Sequence, residues 1–339
     1  MNKLTIKDIA ALAKVSTATV DRVLNRREGV KAATVEKVMK TIEQMRYTPS
    51  ILAANTKGKM RLAFVLPQGR NTFMKQLALE VEHLEDSLTN LSVSVRVVET
   101  QFFDGDSLAT TLRGLKGSVD GVAVVALDHP SVQEAINDLV EAGIPVVTIV
   151  SDMPSSKRHY HLGIDNFGAG RTAASLMGRF LGAKTGKIAI IAGSLSLRDH
   201  VERRLGFEQV MMQECSHLQI LPISESEDNF AKVEQLSNAL LKKYPDLVGI
   251  YNVGAGNRGV VNALQRSTKA NDVVFIAHEL TQFSRRALVD GVIDALINQN
   301  SGHEARSATR VLWALLSNQE INQAQERIRT EILMRHNLP

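Results

Sequence analysis

The run Gly254-Ala255-Gly256-Asn257-Arg258-Gly259 has the G-x-G-x-x-G spacing. Between a strand and a helix, such a run lets backbone amides cradle a pyrophosphate. On that reading the chain is a NAD-dependent oxidoreductase. The fingerprint belongs at a domain's first strand-to-helix turn, with an acid ending the next strand, and here it falls late in the chain. Close helix–strand packing, or backbone approach to a small ligand, accounts for the same glycines. His159-Tyr160-His161 puts two imidazoles on alternate residues, but no third ligand for a zinc ion lies nearby, so a solvated or crossing segment suits it. In Arg203-Arg204 an anion site is conceivable, with Arg204 reading as surface. Cys215 is the only cysteine, which excludes an internal disulfide or a thiolate cluster and reads as a small buried hydrophobe. There is no Ser-His-Asp order, nucleophile elbow or general-acid pair, so neither enzymatic activity nor a cofactor or metal is expected.

A different chemistry is concentrated at the N-terminus. Residues 1–58 hold 11 Lys and Arg against 5 Asp and Glu, whereas the rest holds 29 against 31. A short basic head on a mildly acidic body is the distribution expected when only the head meets a polyanion. The head also has an architecture. Thr5-Ile6-Lys7-Asp8 is a capping box, followed by Ile6, Ile9, Ala10 and Ala13 at helical spacing. After the break Lys14-Val15-Ser16, Ser16 can cap a second helix whose Val20, Val23 and Leu24 face inward and whose Thr17, Ala18, Asp21 and Arg22 face out. A third helix carries Val35, Val38, Met39, Ile42 and Met45 and ends at Tyr47-Thr48-Pro49. Two short helices joined by a tight turn and closed by a third form a helix-turn-helix, whose second helix offers its N-terminal residues to base edges in the major groove.

With Thr5-Ile6-Lys7-Asp8-Ile9-Ala10, Val15-Ser16, Thr19-Val20, Arg22-Val23-Leu24-Asn25, Thr34, Lys37-Val38, Tyr47 and Pro49 in register, the head resembles that of the lactose-repressor (LacI/GalR) family of bacterial regulators. The resemblance implies that Thr17, Ala18 and Arg22 read bases, with Arg22 placed for a bidentate contact to guanine. It implies that Ser16, Thr19, Asn25 and Thr34 hold phosphates, with Thr5 also on the DNA side. Two positions depart from the family. Lys14 replaces its turn glycine, which places a non-glycine residue near the left-handed region. Asp21 stands where Ser is commoner, and either accepts from a cytosine amino group, orients Arg22 or lowers non-specific affinity. Residues 49–58 match the family's hinge, a short minor-groove helix with a leucine wedge. Thr56 occupies the wedge position here, and Leu52 lies one turn earlier. A plain flexible linker is the alternative reading of that segment.

Beyond residue 59, apolar runs alternate with amphipathic stretches. Strands are expected at Arg61–Leu66, Ser92–Val98, Gly121–Ala126, Pro145–Val150, Lys187–Ala192, Leu218–Pro222, Leu247–Tyr251 and Val273–Ile276. Helices are expected at Phe73–Ser87, Ser107–Leu115, Val132–Ala142 and Gly168–Leu181, and around Arg306–Leu316, where Trp313 sits at core spacing for packing or a dimer contact. Runs apolar at every residue imply strands covered on both faces, hence parallel sheets. Eight strands in two groups of four suggest two doubly wound halves, with a ligand outside the carboxyl ends of the strands. Asn71 and Phe73, after the first strand, offer an amide and an apolar wall.

Gly163-Ile164-Asp165-Asn166, Ala169-Gly170-Arg171, Arg203-x-x-Gly206-Phe207 and Asn252 give this half a resemblance to the type I sugar-binding periplasmic-protein fold, which the same family uses for its effector domain. The implied fold class is an all-α helix-turn-helix head on an α/β body of two doubly wound lobes. The domains would be a head over 1–46, a hinge over 47–59 and an effector and dimerisation domain over 60–339. Lobe 1 would take about 60–161 and 293–321, and lobe 2 about 162–292 and 322–339. Carried over, Asp152, Arg203, Asn252 and Glu279 would bind the effector. Glu279 replaces the family's usual Asp and reaches one methylene deeper, toward a smaller or differently placed ligand. The implied protein is a cytoplasmic regulator, most simply a repressor. Its partners would be a palindromic operator, a sugar or sugar derivative, and a second copy in a homodimer or a tetramer. No apolar run is long enough for a membrane span, and the charged N-terminus does not suit a signal peptide. A sugar-binding module without regulatory function would leave the basic head unexplained.

Overall fold

The computed structural model describes residues 6–24, 30–31, 34–38, 41, 59–69, 71–84, 88, 91–101, 103–269 and 272–339. The chain divides into two units, Met1–Met60 with Asn90–Ser92, and Arg61–Thr89 with Val93–Pro339.

In the first unit, helices span Ile6–Leu12 and Thr17–Leu24, and residues 34–38 are helical. The first helix ends in a reversal: the Lys14 amide donates to the Ala11 carbonyl at 3.3 Å and the Val15 amide to Ala10 at 3.0 Å. These two bonds form the Schellman pattern, which needs a left-handed residue between them. Lys14 supplies it with φ of 48°, at a cost of about 1 kcal/mol relative to glycine. Ile9, Ala10, Ala13, Val20, Val23 and Val38 form the buried core, with Val15, Val30 and Val35 packed against it. The inward face expected of the second helix is present at Val20 and Val23. Met39, Ile42, Met45 and the hinge segment 47–58 lie outside the described residues.

The second unit holds two sheets. The first has the order β2-β1-β3-β4-β5, with β1 Met60–Pro67, β2 Val93–Thr100, β3 Gly121–Val124, β4 Val146–Ile149 and β5 Tyr160–Leu162. The second has seven strands in the order β12-β11-β10-β9-β6-β7, with β8 also pairing β6. These are β6 Gly186–Ala192, β7 Leu218–Ile220, β8 Ser224–Glu225, β9 Leu247–Asn252, β10 Val274–His278, β11 Ala295–Asn298 and β12 Glu331–Leu333. Pairing is parallel for β1–β3–β4–β5 and for β11–β10–β9–β6–β7, and antiparallel for the edge pair β11–β12. Side chains alternate as a sheet covered on both faces requires: Ile188, Ile190 and Ala192 enter one core, and Ala189 and Ile191 the other. Among the described residues no helix is long and apolar enough to cross a membrane.

All eight expected strands are present, but they are joined by four more. These are β5, β8, β11 and β12, each four residues or shorter, too short to carry a legible period. The additional strands make the two groups five and seven, not four and four. They also correct the lobe division. Residues 295–298 were expected in the first lobe, but β11 pairs with β10 through Ile276–Ala295 and His278–Ile297, so this stretch belongs to the second lobe. The chain returns to the first lobe only with the Ser301–Ser317 helix, which packs on β3, β4 and β5. Trp313 on that helix is half-buried.

The two sequence motifs around Gly170 and Gly206 form a single device. The helices Asn166–Leu181 and Arg198–Glu214 cross so closely that a Cβ on Gly170 would meet the Arg203 carbonyl oxygen at 2.0 Å, and one on Gly206 the Phe167 carbonyl at 2.1 Å. Only glycine permits that approach. It brings Arg203 Nε within 2.8 Å of Asn166 Oδ1.

Candidate functional site

In the head, Ser16, Thr17, Ala18 and Arg22 are exposed on the second helix and Thr19 is half-buried. The Ser16 hydroxyl accepts from the Thr19 amide at 3.0 Å and lies 2.8 Å from the Thr19 hydroxyl, so Ser16 caps the helix as its position suggested. Thr34 opens the next helical stretch, its amide donating to Lys31 at 2.8 Å. Thr5, Asn25, Leu52 and Thr56 lie outside the described residues. Thr17 and Ala18 in the first turn and Arg22 in the last turn are exposed along this helix, a surface of the kind that can face base edges.

In the body, a cavity of about 260 Å³ lies at the carboxyl ends of strands from both sheets. Asn71 and Phe73 follow β1, Val125 and Leu127 follow β3, and Val150 and Ser151 follow β4. From the other sheet come Arg203 with Asp199 on its helix, Gly254–Arg258 after β9, His278 and Glu279 at the end of β10, and Gln299 after β11. Four of the lining residues, Phe103, Val150, Asp228 and Glu279, are non-glycine residues in the left-handed region, with φ of 56°, 63°, 52° and 71°. That conformation is an outlier for a β-branched side chain.

Arg203 is the centre of the polar side. It is 2% exposed. Its Nε donates to Asn166 and its Nη1 to the Val253 carbonyl at 2.9 Å. Its Nη2 lies 3.6 Å from Glu279 Oε1 and 3.8 Å from Asp199 Oδ2, beyond good hydrogen-bond range. Among the described residues, Arg203 Nη2, Asp199 Oδ1, Glu279 Oε2, His278 Nδ1 and Gln299 Oε1 are buried without a partner. Glu279 accepts one bond, from Gln299 Nε2 at 2.8 Å. Burial pushes its carboxyl up to about 7, against the pull of Arg203. Burial, then Arg203, holds the His278 imidazole well below its usual range, so it is neutral, with Nε2 2.8 Å from the Tyr251 hydroxyl. Behind this group, Glu304 is fully buried and neither of its oxygens has a partner among the described residues. Burial and then the charge of Glu279 raise its carboxyl well above the usual range. Unpartnered buried polar atoms are costly unless something else satisfies them.

A second feature ties the two sheets together across the cavity. Asn71 Oδ1 accepts from the Phe73 and Met74 amides, capping the Thr72–Glu82 helix. Its Nδ2 donates at 2.8 Å to Asp228 Oδ2, whose other oxygen accepts from the Ala255 amide at 2.8 Å. Nearby, the Asp128 amide donates to the Ser196 carbonyl at 3.0 Å, and Leu197 packs into the core of the five-stranded half.

Of the six expected effector residues, Asn71, Phe73, Arg203 and Glu279 line the cavity, and Asp152 and Asn252 do not. Arg158 takes Asp152 in a fork, Nε to Oδ1 at 2.5 Å and Nη2 to Oδ2 at 2.6 Å, while Thr148 and the Met153 amide also donate to Oδ1. Burial works against ionisation there, but the hydrogen bonds from Arg158 and Thr148 and the nearby His161 hold the carboxyl below its usual range. Asn252 is buried outside the lining; its Nδ2 donates to Gly254, Ala255 and Asn257 and so shapes the glycine loop, while its Oδ1 has no partner among the described residues. That loop's glycines are used in packing: a Cβ on Gly259 would meet the Phe230 carbonyl at 2.4 Å, and one on Gly254 would meet Asp228 at 2.7 Å. His161 belongs to the Asp152 group, its Nδ1 lying 3.0 Å from the Thr148 hydroxyl, on a strand paired with β4 and not on a solvated segment. Cys215 is buried, as expected.

Asp199, Asp228, His278 and Gln299 were missed by sequence reasoning. Asp199 had a usable signal, since it stands one helical turn before Arg203 and shares its face. Gln299 had none, because the strand before it was not recognised.

Residues 62–320 match a family described as periplasmic binding protein domain, and residues 5–50 match bacterial regulatory proteins, lacI family. The HTH-type transcriptional regulator DegA of Bacillus subtilis is 30% identical over 228 residues, covering 66% of this chain and 64% of that one. The HTH-type transcriptional repressor PurR of Vibrio cholerae is 27% identical over 213 residues, covering 62% and 60%. The chain thus spans less than two thirds of the length of these relatives. Among solved structures, GanP, a glucose-galactose binding protein from Geobacillus stearothermophilus, superposes with a TM-score of 0.74 at 22% identity, covering 84% of this chain and all of that one.

Proposed function

The chain belongs to the periplasmic-binding-protein domain family and carries the helix-turn-helix of the lacI-family bacterial regulatory proteins, and from that premise we propose that it is a sequence-specific DNA-binding transcription regulator whose DNA affinity is set by a small effector held in the cavity around Arg203. The observation that carries this reading is the set of buried polar atoms around Arg203 that the protein itself leaves unpartnered, in a chain whose basic head presents an exposed base-reading face. The regulator acts in the cytoplasm as a repressor and as a homodimer, each head reading half of a palindromic operator. Thr17, Ala18 and Arg22 contact bases, and Thr5, Ser16, Thr19, Asn25 and Thr34 contact the backbone. Residues 47–59 form the hinge, with Leu52 or Thr56 at the minor groove. The effector is a sugar or sugar derivative held by Arg203 and Glu279 in the cavity that Asn71 and Phe73 help to line. It shifts DNA affinity by as much as its own affinity differs between the DNA-binding and non-binding states.

Selection from random duplexes by the full chain tests this reading, followed by anisotropy at one fixed salt concentration. A palindromic site should emerge. Arg22→Ala should weaken binding to it by about 1–3 kcal/mol and leave binding to random DNA far less affected. Failure to enrich any sequence would remove the regulator reading.

A further inference from the structure

The cavity is two-sided. From the seven-stranded half it is lined by Asp199, His200, Arg203, Asp228, Arg258 and Glu279, besides neutral polar residues, exposed Phe230 and half-buried Phe283. From the five-stranded half it is lined by Phe73, Met74, Leu108, Val125, Leu127 and Val150, all buried. No charged side chain lines it from that second side among the described residues. The acid nearest to this wall in the chain, Asp152, is saturated by Arg158, Thr148 and the Met153 amide. The Asn71 amide is spent on its helix cap and on Asp228. Thr72, Thr100 and Gln101 add neutral groups, but among the described residues the wall's one buried side-chain polar atom without a partner is Ser151 Oγ.

The unpartnered atoms on the polar side are also unequal in kind. Arg203 Nη2 is a donor and His278 Nδ1 takes either role with its tautomer, whereas Asp199 Oδ1, Glu279 Oε2 and Gln299 Oε1 are all acceptors when the two acids are ionised. A ligand that satisfies them must bring several donors, spaced to lie on both sides of one guanidinium nitrogen. Adjacent hydroxyls do this, each donating to a carboxylate while one accepts from Arg203. Hydroxyls facing the opposite wall would lose water and gain almost nothing, whereas carbon placed there gains by burial.

We infer that the cavity takes an amphipathic polyol, with adjacent hydroxyls at the Asp199–Arg203–Glu279 end and an unhydroxylated alkyl, aryl or deoxy portion against the Phe73–Val125–Leu127 wall, and not a sugar hydroxylated all round. This rests on the effector reading of the same cavity.

The test uses the full chain and matched ligand pairs in thermal-shift and calorimetric titrations. The pairs are cis-cyclohexane-1,2-diol with myo-inositol, and the phenyl β-glycosides of glucose and galactose with the free sugars. In every pair with measurable binding, the partly apolar member should bind at least tenfold tighter. The near-isosteric Val125→Thr, which puts a hydroxyl on the wall, should reduce that preference at least threefold. If a free sugar or inositol binds as tightly as its partner, or Val125→Thr leaves the preference unchanged, the inference fails while the effector reading stands. If no member of any pair binds and no other small molecule raises the melting temperature, the effector reading fails and takes the inference with it.

Discussion

Asp152 and Asp199 are both acids at strand ends or helix starts of the body, and their surroundings are opposite. Asp152 accepts from Arg158, Thr148 and the Met153 amide, so its lone pairs are consumed inside the five-stranded half. Asp199 keeps one buried oxygen without a partner among the described residues, as does Glu279, and both flank an arginine nitrogen too distant to satisfy either. A carboxylate saturated by its neighbours is structural. One held open beside a cavity is reserved for something that arrives. The difference teaches that residue type and chain position nominate a ligand group, and that its hydrogen-bond inventory decides.

Removing Arg203 on one side and neutralising Asp152 on the other should break the comparison most visibly. Arg203→Ala leaves Asn166 and the Val253 carbonyl without their donor and Asp199 and Glu279 without the positive charge between them, and should cost about 3–5 kcal/mol in denaturant unfolding. Effector affinity should fall roughly 10–100-fold with the loss of charged hydrogen bonds. Asp152→Asn should lower stability by about 1–3 kcal/mol by weakening the Arg158 fork, yet leave effector affinity within about twofold. An equal loss of affinity in both variants would erase the distinction.

A pH titration of stability sharpens it. The Glu279 carboxyl rises from 4.5 to about 7 on folding, so between those values the folded protein holds a proton that the unfolded chain has released. Stability should therefore fall as pH rises from about 4.5 to 7, by about 3 kcal/mol from this group. The raised carboxyl of Glu304 adds a decline of the same sign. Asp152 has the opposite shift, and its contribution is lost as pH falls through its folded value. Glu279→Gln should flatten the decline between pH 4.5 and 7. Denaturant midpoints across that range check this, and an unchanged slope would count against a neutral buried Glu279.

The smallest effect concerns the bridge between the two sides. Asn71→Asp keeps an acceptor for the helix cap but faces the Asp228 carboxylate. It should disfavour the bridged arrangement by on the order of 1 kcal/mol. Small-angle scattering of the ligand-free protein should show a larger radius of gyration, and effector affinity should drop about two- to fivefold. An unaltered radius would mean that this bond does not hold the two halves together.

Much of this was legible in the chain, for identifiable reasons. The longer apolar runs of β1, β6 and β9 are largely buried on both faces, which is why composition alone located them. The turn at Lys14 was readable through the family resemblance, whose turn glycine marks a left-handed position, and not from the lysine itself. β11, only four residues long, gave no period, and its omission misplaced a lobe boundary and hid Gln299. Asp152 and Asn252 were assigned by position, and position carries no information on Arg158, six residues away, or on three acceptors in the following loop. Asp228 lies in a loop next to the Asn229 helix cap, and its link to Asn71 spans 157 residues, a pairing that no local pattern encodes.

The central claim is that the cavity and the head are coupled. It is tested most directly by titrating a ligand that raises the melting temperature against a fixed concentration of protein and its selected duplex, and reading DNA affinity by anisotropy. The account predicts a change of about 5–150-fold in the wild-type chain and in Asp152→Asn, and none in Arg203→Ala. A ligand that saturates the cavity while DNA affinity stays within twofold would contradict it.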